Sequence, residues 1–169
     1  MLKKNGLIII AICLMGLITP AVNADPMAPV TAESADLVVV LKAERILYLY
    51  RDGLPVRSYP IQLGKVPLGH KVREGDQRTP EGAYTLDWRN PESSFYRSIH
   101  VTYPNARDLR RIAGQAINPG GEIMIHGQPV YDFDPRYGDW TDGCIAVSNE
   151  AMDELWRLIP ENTPIHIYP

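Results

Sequence analysis

The chain has 169 residues, 45% of them hydrophobic and 22% charged, with a formal net charge of -3. These values fit one folded domain of roughly 100–200 residues and exclude disorder as the main state. A balance of 17 basic against 20 acidic side chains leaves no basic footprint for nucleic acid, and two cysteines cannot build a disulfide scaffold.

Lys3 and Lys4 precede an apolar run over residues 6–18, too short for the ~20 residues a spanning helix needs, and Pro20 breaks it. Val22-Asn23-Ala24 then offers small or aliphatic residues where a signal peptidase reads. Residues 1–24 are therefore expected to be a cleavable signal peptide rather than an uncleaved anchor, which makes the product exported and periplasmic, with no stable membrane span. Cys13 lies in the apolar run behind Ile12, where a lipoprotein site wants a small residue, and leaves with the peptide. Cys144 is then the single cysteine of a protein in an oxidising compartment. Such a thiol makes an intermolecular disulfide, sits buried and inert, or is kept for its reactivity.

Residues 25–36 (DPMAPVTAESAD) lack an apolar period and read as a flexible leader to a domain spanning 37–169. Short β-like runs follow at 37–41, 45–50 and 55–63, with Asp52-Gly53 as a hairpin turn between the last two. Pro80-Glu81-Gly82 opens a run through Trp88, and further strands are predicted at 98–103, 122–126, 144–147 and 165–168. Two helices are predicted, a short one at 105–113 and another at 149–159. The second follows a Ser148/Asn149 cap, carries Glu150, Asp153 and Glu154 early, and ends at Pro160. Its Met152, Leu155, Trp156 and Ile159 recur at helical spacing, as core packing requires. The sum is a mainly β domain with short helices (α+β), built as a mixed sandwich or a curled, barrel-like sheet.

Histidines at 70, 100, 126 and 166 are too irregularly spaced for a local metal motif, so neither metal nor cofactor is expected. Asp132, Asp134, Asp139 and Asp142 lack the calcium-loop spacing and read as loop solvation and Asx turns. The cluster Arg107, Arg110 and Arg111 reads as an exposed helix face. Cys144 stands in Thr141-Asp142-Gly143-Cys144-Ile145-Ala146-Val147, where a polar loop meets an apolar run. Gly143 permits close backbone approach, so a substrate carbonyl could reach the sulfur while nearby amides face its oxygen. A thiol of ordinary pKa needs a base, and His126, ending an apolar strand before Gly127, is the candidate. On these residues alone, catalysis and a buried structural thiol stay equally open.

The same residues resemble the L,D-transpeptidase (YkuD-type) catalytic domain, whose signature is a histidine, usually with glycine after it, then about fifteen residues and Ser/Thr-His-Gly-Cys. Here Ile123-Met124-Ile125-His126-Gly127 precedes Thr141-Asp142-Gly143-Cys144, with fourteen residues between His126 and Thr141. Gly64, Thr79-Pro80-Glu81-Gly82 and Tyr103-Pro104-Asn105 add to a likeness running from Leu37 to Pro169. The resemblance implies Cys144 as nucleophile, His126 as general base and acid, and a backbone oxyanion donor at Gly143. The Gly127 carbonyl would orient the imidazole, and Thr141, Asp142, Ala146 and Arg136 are the candidate substrate-binding positions. The implied partner is the peptidoglycan stem peptide, cut between the L-centre of diaminopimelate and D-alanine, with a thioester passed to an amine.

Two departures from the family pattern stand out. Asp142 replaces a common histidine, and Ala146 replaces an arginine that would meet a substrate carboxylate. Arg107, Arg111 and Arg136 are candidates to take over that role. The alanine is also a feature of members that hydrolyse the bond between peptidoglycan and an attached lipoprotein. A periplasmic L,D-transpeptidase is thus the first expectation. A hydrolase (amidase or carboxypeptidase) of the same fold is the second, and a non-catalytic wall-binding module the third.

Overall fold

The computed structural model describes residues 34–131 and 136–169. The predicted signal peptide and most of the predicted leader lie outside the described residues, as do Asp132 and Asp134. Ser34, Ala35 and Asp36 are already part of the domain. The Ala35 amide donates to the Leu158 carbonyl at 2.8 Å, and the Asp36 amide to the Tyr50 carbonyl at 3.0 Å.

Alternating side chains build the first half of the sheet. In β1 (Leu37–Leu41) and β2 (Ile46–Arg51), Val38, Val40, Leu47 and Leu49 are wholly buried while their neighbours reach the other face. β2 turns into β3 (Leu54–Pro60) through Asp52 and Gly53, both at positive φ (50° and 75°), as a tight hairpin requires. A long connection leads to β4 (Gly82–Asn90), β5 (Ser98–Val101), α1 (Ala106–Arg111) and β6 (Met124–His126). β7 (Ile145–Ala146), α2 (Asn149–Leu158) and β8 (Thr163–Tyr168) complete the order. The strands form one mixed sheet in the order β3-β2-β1-β8-β4-β5-β6-β7, parallel only at β1/β8 and β6/β7.

Several predicted elements are shorter than expected. The run 55–63 leaves β2 after Pro60, because the amide and carbonyl of Gln62 pair with Ala146 (2.9 and 2.8 Å) and the Leu63 carbonyl accepts from the Thr141 amide (3.1 Å). That exchange draws the β3 end of the sheet onto its β7 end and makes the curl. The run 122–126 becomes a strand only at Met124, after Glu122 at φ 53°, although the Ile123 carbonyl already accepts from the Val101 amide at 2.8 Å. The run 98–103 stops at Val101, ahead of the cis Tyr103-Pro104 bond. Asn105 is the cap of α1 rather than its first turn, accepting from the amides of Arg107 and Asp108 while the Asp108 carboxylate accepts from the Asn105 amide.

Helix α2 behaves as its periodicity predicts, with Ser148 as cap. Met152, Leu155 and Ile159 are fully buried together with Leu158, each contributing roughly 1.5–3 kcal/mol of apolar burial. Trp156 is only half-buried and carries the guanidinium groups of Arg89 and Arg97 on its ring, at 5.2 and 5.4 Å. Ile99, Ile125 and Ile145 belong to the same core. The register Ser98↔His126, His100↔Met124 and His126↔Ala146 therefore sends those five residues to the opposite face of the sheet.

Two buried ammonium groups hold the 61–81 connection. Lys42, 2% exposed, donates to the carbonyls of Gly69 (2.8 Å) and Thr79 (3.0 Å) and pairs with Glu81 (2.7 Å). Lys71 pairs with Asp76 at 2.9 Å, and the Asp76 carboxylate also accepts from the amides of Val72, Arg73 and Arg78.

Candidate active site

Strand pairing alone brings His126 and Cys144 together. β6 and β7 run parallel with Ile125 opposite Ile145 and His126 opposite Ala146, so Cys144 lies one strand over and two residues back on the face that carries His126. With strands ~4.8 Å apart and a rise of ~3.3 Å per residue, that diagonal separates the Cα atoms by about 8 Å, within reach of facing side chains. The sulfur accepts the Met124 amide at 3.4 Å and its thiol is aimed at the Glu122 carbonyl at 3.5 Å.

His126 is 3% exposed. Its Nδ1 lies 2.7 Å from the Gly127 carbonyl, which can only accept, so the proton is on Nδ1 and Nε2 carries the free lone pair. Phe95 and Trp140 wall the ring at centroid distances of 4.6 and 5.6 Å. Burial pushes the imidazole down to about 4, against a smaller opposing effect of the Gly127 hydrogen bond. At neutral pH it is an unprotonated base. Burial also pushes the Cys144 thiol up, partly offset by the Met124 amide, so the resting pair is neutral on both sides.

Glycine is required at two positions of the signature. Gly143 sits at φ 134°, and a Cβ there would lie 2.8 Å from the Arg78 carbonyl oxygen. At Gly127 a Cβ would meet Asn149 Oδ1 at 2.5 Å and Tyr96 Cβ at 3.0 Å. The backbone beside Cys144 can therefore pass close to Arg78, and the backbone beside His126 close to Tyr96 and Asn149, only without a side chain. The Gly143 amide donates to Thr141 Oγ1 at 3.1 Å, and the same hydroxyl donates to the Cys144 carbonyl at 2.7 Å. Thr141, 3% exposed, thus braces the turn that carries the thiol.

Among the other candidate positions, Asp142 is exposed and accepts from Lys65 Nζ (3.0 Å) and Gln77 Nε2 (3.1 Å), which hold its carboxyl below the usual range. Ala146 is fully buried and lines a cavity of about 670 Å³ together with Gln62, Gln128 and Arg136. Arg136 lies over the Trp140 ring at 4.9 Å, which brings it to the edge of the histidine wall. Arg111 instead stands on α1, 3.9 Å from Asp108. Sequence reasoning missed Gln62, whose Oε1 accepts from Trp140 Nε1 at 2.6 Å and fixes that ring. It also missed Phe95, which has no signal beyond being one of two phenylalanines. Among the described residues no group of three or more His, Cys, Asp or Glu could hold a metal ion, and no helix is long and apolar enough to cross a membrane.

A curled, mostly β sheet with this histidine-to-cysteine frame defines a known class: residues 35–167 match the YkuD L,D-transpeptidase catalytic domain, and the chain belongs to that family. Among individual relatives, it is 33% identical over 129 residues to YafK of Escherichia coli, covering 72% of this chain and 46% of that protein. The helical cell shape determining protein Pgp2 of Campylobacter jejuni superposes with a TM-score of 0.62 at 29% identity, over 78% of this chain and 46% of its own. Bd1075 of Bdellovibrio bacteriovorus gives 0.59 at 26% identity, over 81% and 49%. The chain thus spans about half the length of these relatives.

Proposed function

We propose that the chain is a periplasmic enzyme that transfers acyl groups of peptidoglycan stem peptides through a thioester on Cys144. The observation that carries this is the fixed tautomer of His126, whose Nδ1–H is spent on the Gly127 carbonyl and whose Nε2 is left as a base on the Cys144 face of the sheet. Cys144 Sγ attacks the carbonyl carbon between the L-centre of diaminopimelate and D-alanine, and His126 Nε2 takes the thiol proton. Because thiol and imidazole are both neutral at rest, charge appears only with the attack. The oxyanion is received by backbone amides at Cys144 and Gly143, the latter exchanging its bond to Thr141 Oγ1. When the tetrahedral adduct collapses, the C–N bond breaks and the D-alanine nitrogen takes the proton from His126. An acceptor amine then adds to the thioester and gives its proton to Nε2, and the sulfur leaves and is reprotonated.

Ala146 favours a second outcome. A buried methyl beside Gln62 gives no guanidinium at that point to hold a carboxylate, so water can resolve the thioester in place of an amine. The product is then a trimmed stem, or a lipoprotein released from the wall.

Incubation with defined tetrapeptide muropeptides, with and without an amine acceptor, followed by mass spectrometry of protein and products, separates these outcomes. An adduct at Cys144 with acceptor capture supports transfer, and release without capture supports hydrolysis. Cys144→Ala should abolish the adduct and keep the fold. Turnover by that variant, or no adduct on the native protein even with a carbapenem, would sink the proposal.

A further inference from the structure

Strand β4 carries a bulge that the catalytic chemistry above does not use. Leu86 pairs with Val101 and Arg89 with Ile99, leaving both Asp87 and Trp88 opposite the single residue His100. Bulges of this kind re-aim side chains beside active sites. Leu86 points into the core, and Arg89 reaches the carbonyl of Trp156 on α2. Asp87 and Trp88 gather instead around His100 on the opposite face. There His100 Nδ1 donates to Asp87 Oδ1 at 2.7 Å, and the imidazole stacks on the Trp88 ring at 5.0 Å and 20°.

This cluster shares its face with the thiol. His100 is the register partner of Met124, whose amide holds Cys144 Sγ. Two strand spacings separate β5 from β7 and three separate β4 from β7, which puts the backbone of His100 roughly 10 Å, and that of Asp87 and Trp88 roughly 14 Å, from that of Cys144 before the curl of the sheet and the reach of the side chains shorten the gap. It is also incompletely used by the protein. Trp88 is 41% exposed although one face of its ring is covered by His100. The Asp87 side chain is 35% exposed, and its Oδ2 has no hydrogen-bond partner among the described residues. An open indole face next to a spare carboxylate oxygen is a receptor for a compact cation with N–H donors, through charge-assisted hydrogen bonding and attraction to the ring quadrupole.

We propose that Asp87, Trp88 and His100 form a subsite for a primary ammonium group, the one on the side chain of the donor stem peptide's diaminopimelate. Naming the ligand rests on the acyl-transfer reading above, whereas the cation chemistry rests on the trio alone. A cross-linked stem has that amine acylated, uncharged and bulkier. The subsite therefore selects stems that are not yet cross-linked through the side chain.

The test is calorimetric titration of the full chain carrying Cys144→Ala, so that no turnover intervenes. The probes are the tetrapeptide L-alanyl-γ-D-glutamyl-meso-diaminopimelyl-D-alanine and the same peptide acetylated on its side-chain amine. The free amine should bind about tenfold more tightly. Asp87→Asn and Trp88→Ala should bring the two probes within about twofold of each other, while Trp88→Phe, which keeps a ring, retains most of the preference. Equal affinity for the two probes, no binding of either, or a preference that survives both disruptive substitutions overturns the subsite. Acylation of native Cys144 by a carbapenem is scored separately. Acylation without amine preference removes only the subsite, and amine preference without any acylation removes only the acyl-transfer reading.

Discussion

The buried neutral state of His126 makes the stability of the fold depend on pH in a calculable direction. The imidazole is walled by Phe95 and Trp140 and is 3% exposed, and burial brings it from its ordinary 6.5 to about 4. In the unfolded chain the same group titrates near 6.5, so between pH 4 and 6.5 the unfolded state binds the extra proton. Stability from this group is complete above pH 6.5 and is lost progressively as the pH falls to 4. Across that interval, at about 1.36 kcal/mol per pH unit, the loss amounts to about 3 kcal/mol. His126→Gln removes the titration without introducing a charge. Urea unfolding of both proteins from pH 4 to 8 reads the effect as a difference. His70, also lowered by burial, is present in both and cancels. The native protein should lose about 3 kcal/mol more than the variant on going from pH 7 to 4. Parallel stability curves, or a native protein that gains on acidification relative to the variant, would refute the buried-base argument.

The same shift places the acid limb of kcat/KM for Cys144 acylation near pH 4 rather than near 6.5, and a limb at the ordinary histidine value would mean that another group is the base. Gly143→Ala puts a Cβ against the Arg78 carbonyl at φ 134° and should cost about 1–3 kcal/mol in thermal or urea unfolding, together with most of the acylation rate; an unchanged Tm and rate would show that the turn has other ways to close. Lys42→Met leaves the Glu81 carboxylate and two carbonyls without their donor and should cost about 3 kcal/mol or more, with a loss below about 1 kcal/mol ruling out the ammonium as the clamp of the 61–81 connection.

How much of this the sequence carried depends on the range of the interactions involved. The period-2 runs at 37–41 and 45–50 and the helical stripe ending at Ile159 are local patterns, and they appear as β1, β2 and α2 with shifts of a residue at most. The Asp52-Gly53 turn is equally local. The 55–63 run ended early for a reason no local pattern contains: Gln62 and Leu63 exchange β2 for partners some eighty residues away in sequence. The site divides in the same way. The juxtaposition of His126 and Cys144 was legible because one motif fixes their order and spacing, and parallel β6/β7 pairing turns that spacing into a diagonal. Phe95, Gln62 and Trp140 were not, since each reaches the imidazole or its wall from a different loop.

The β4 bulge is the sharpest case of information held only by register. Read as sequence, Asp87 and Trp88 belong to an ordinary strand in which neighbours face opposite sides, and His100 is one of four scattered histidines. The extra residue in the ladder abolishes that alternation at one point and brings both side chains onto the face that carries Cys144. A regular strand would have sent one of the pair to the core side, where Asp87 would need a buried partner or Trp88 would displace packed apolar groups. By accepting one unpaired ladder position, the sheet places a carboxylate and an indole side by side without disturbing the core. The position costs a backbone hydrogen bond, and the side chains it redirects remain partly open to ligand, which is the arrangement a recognition site requires.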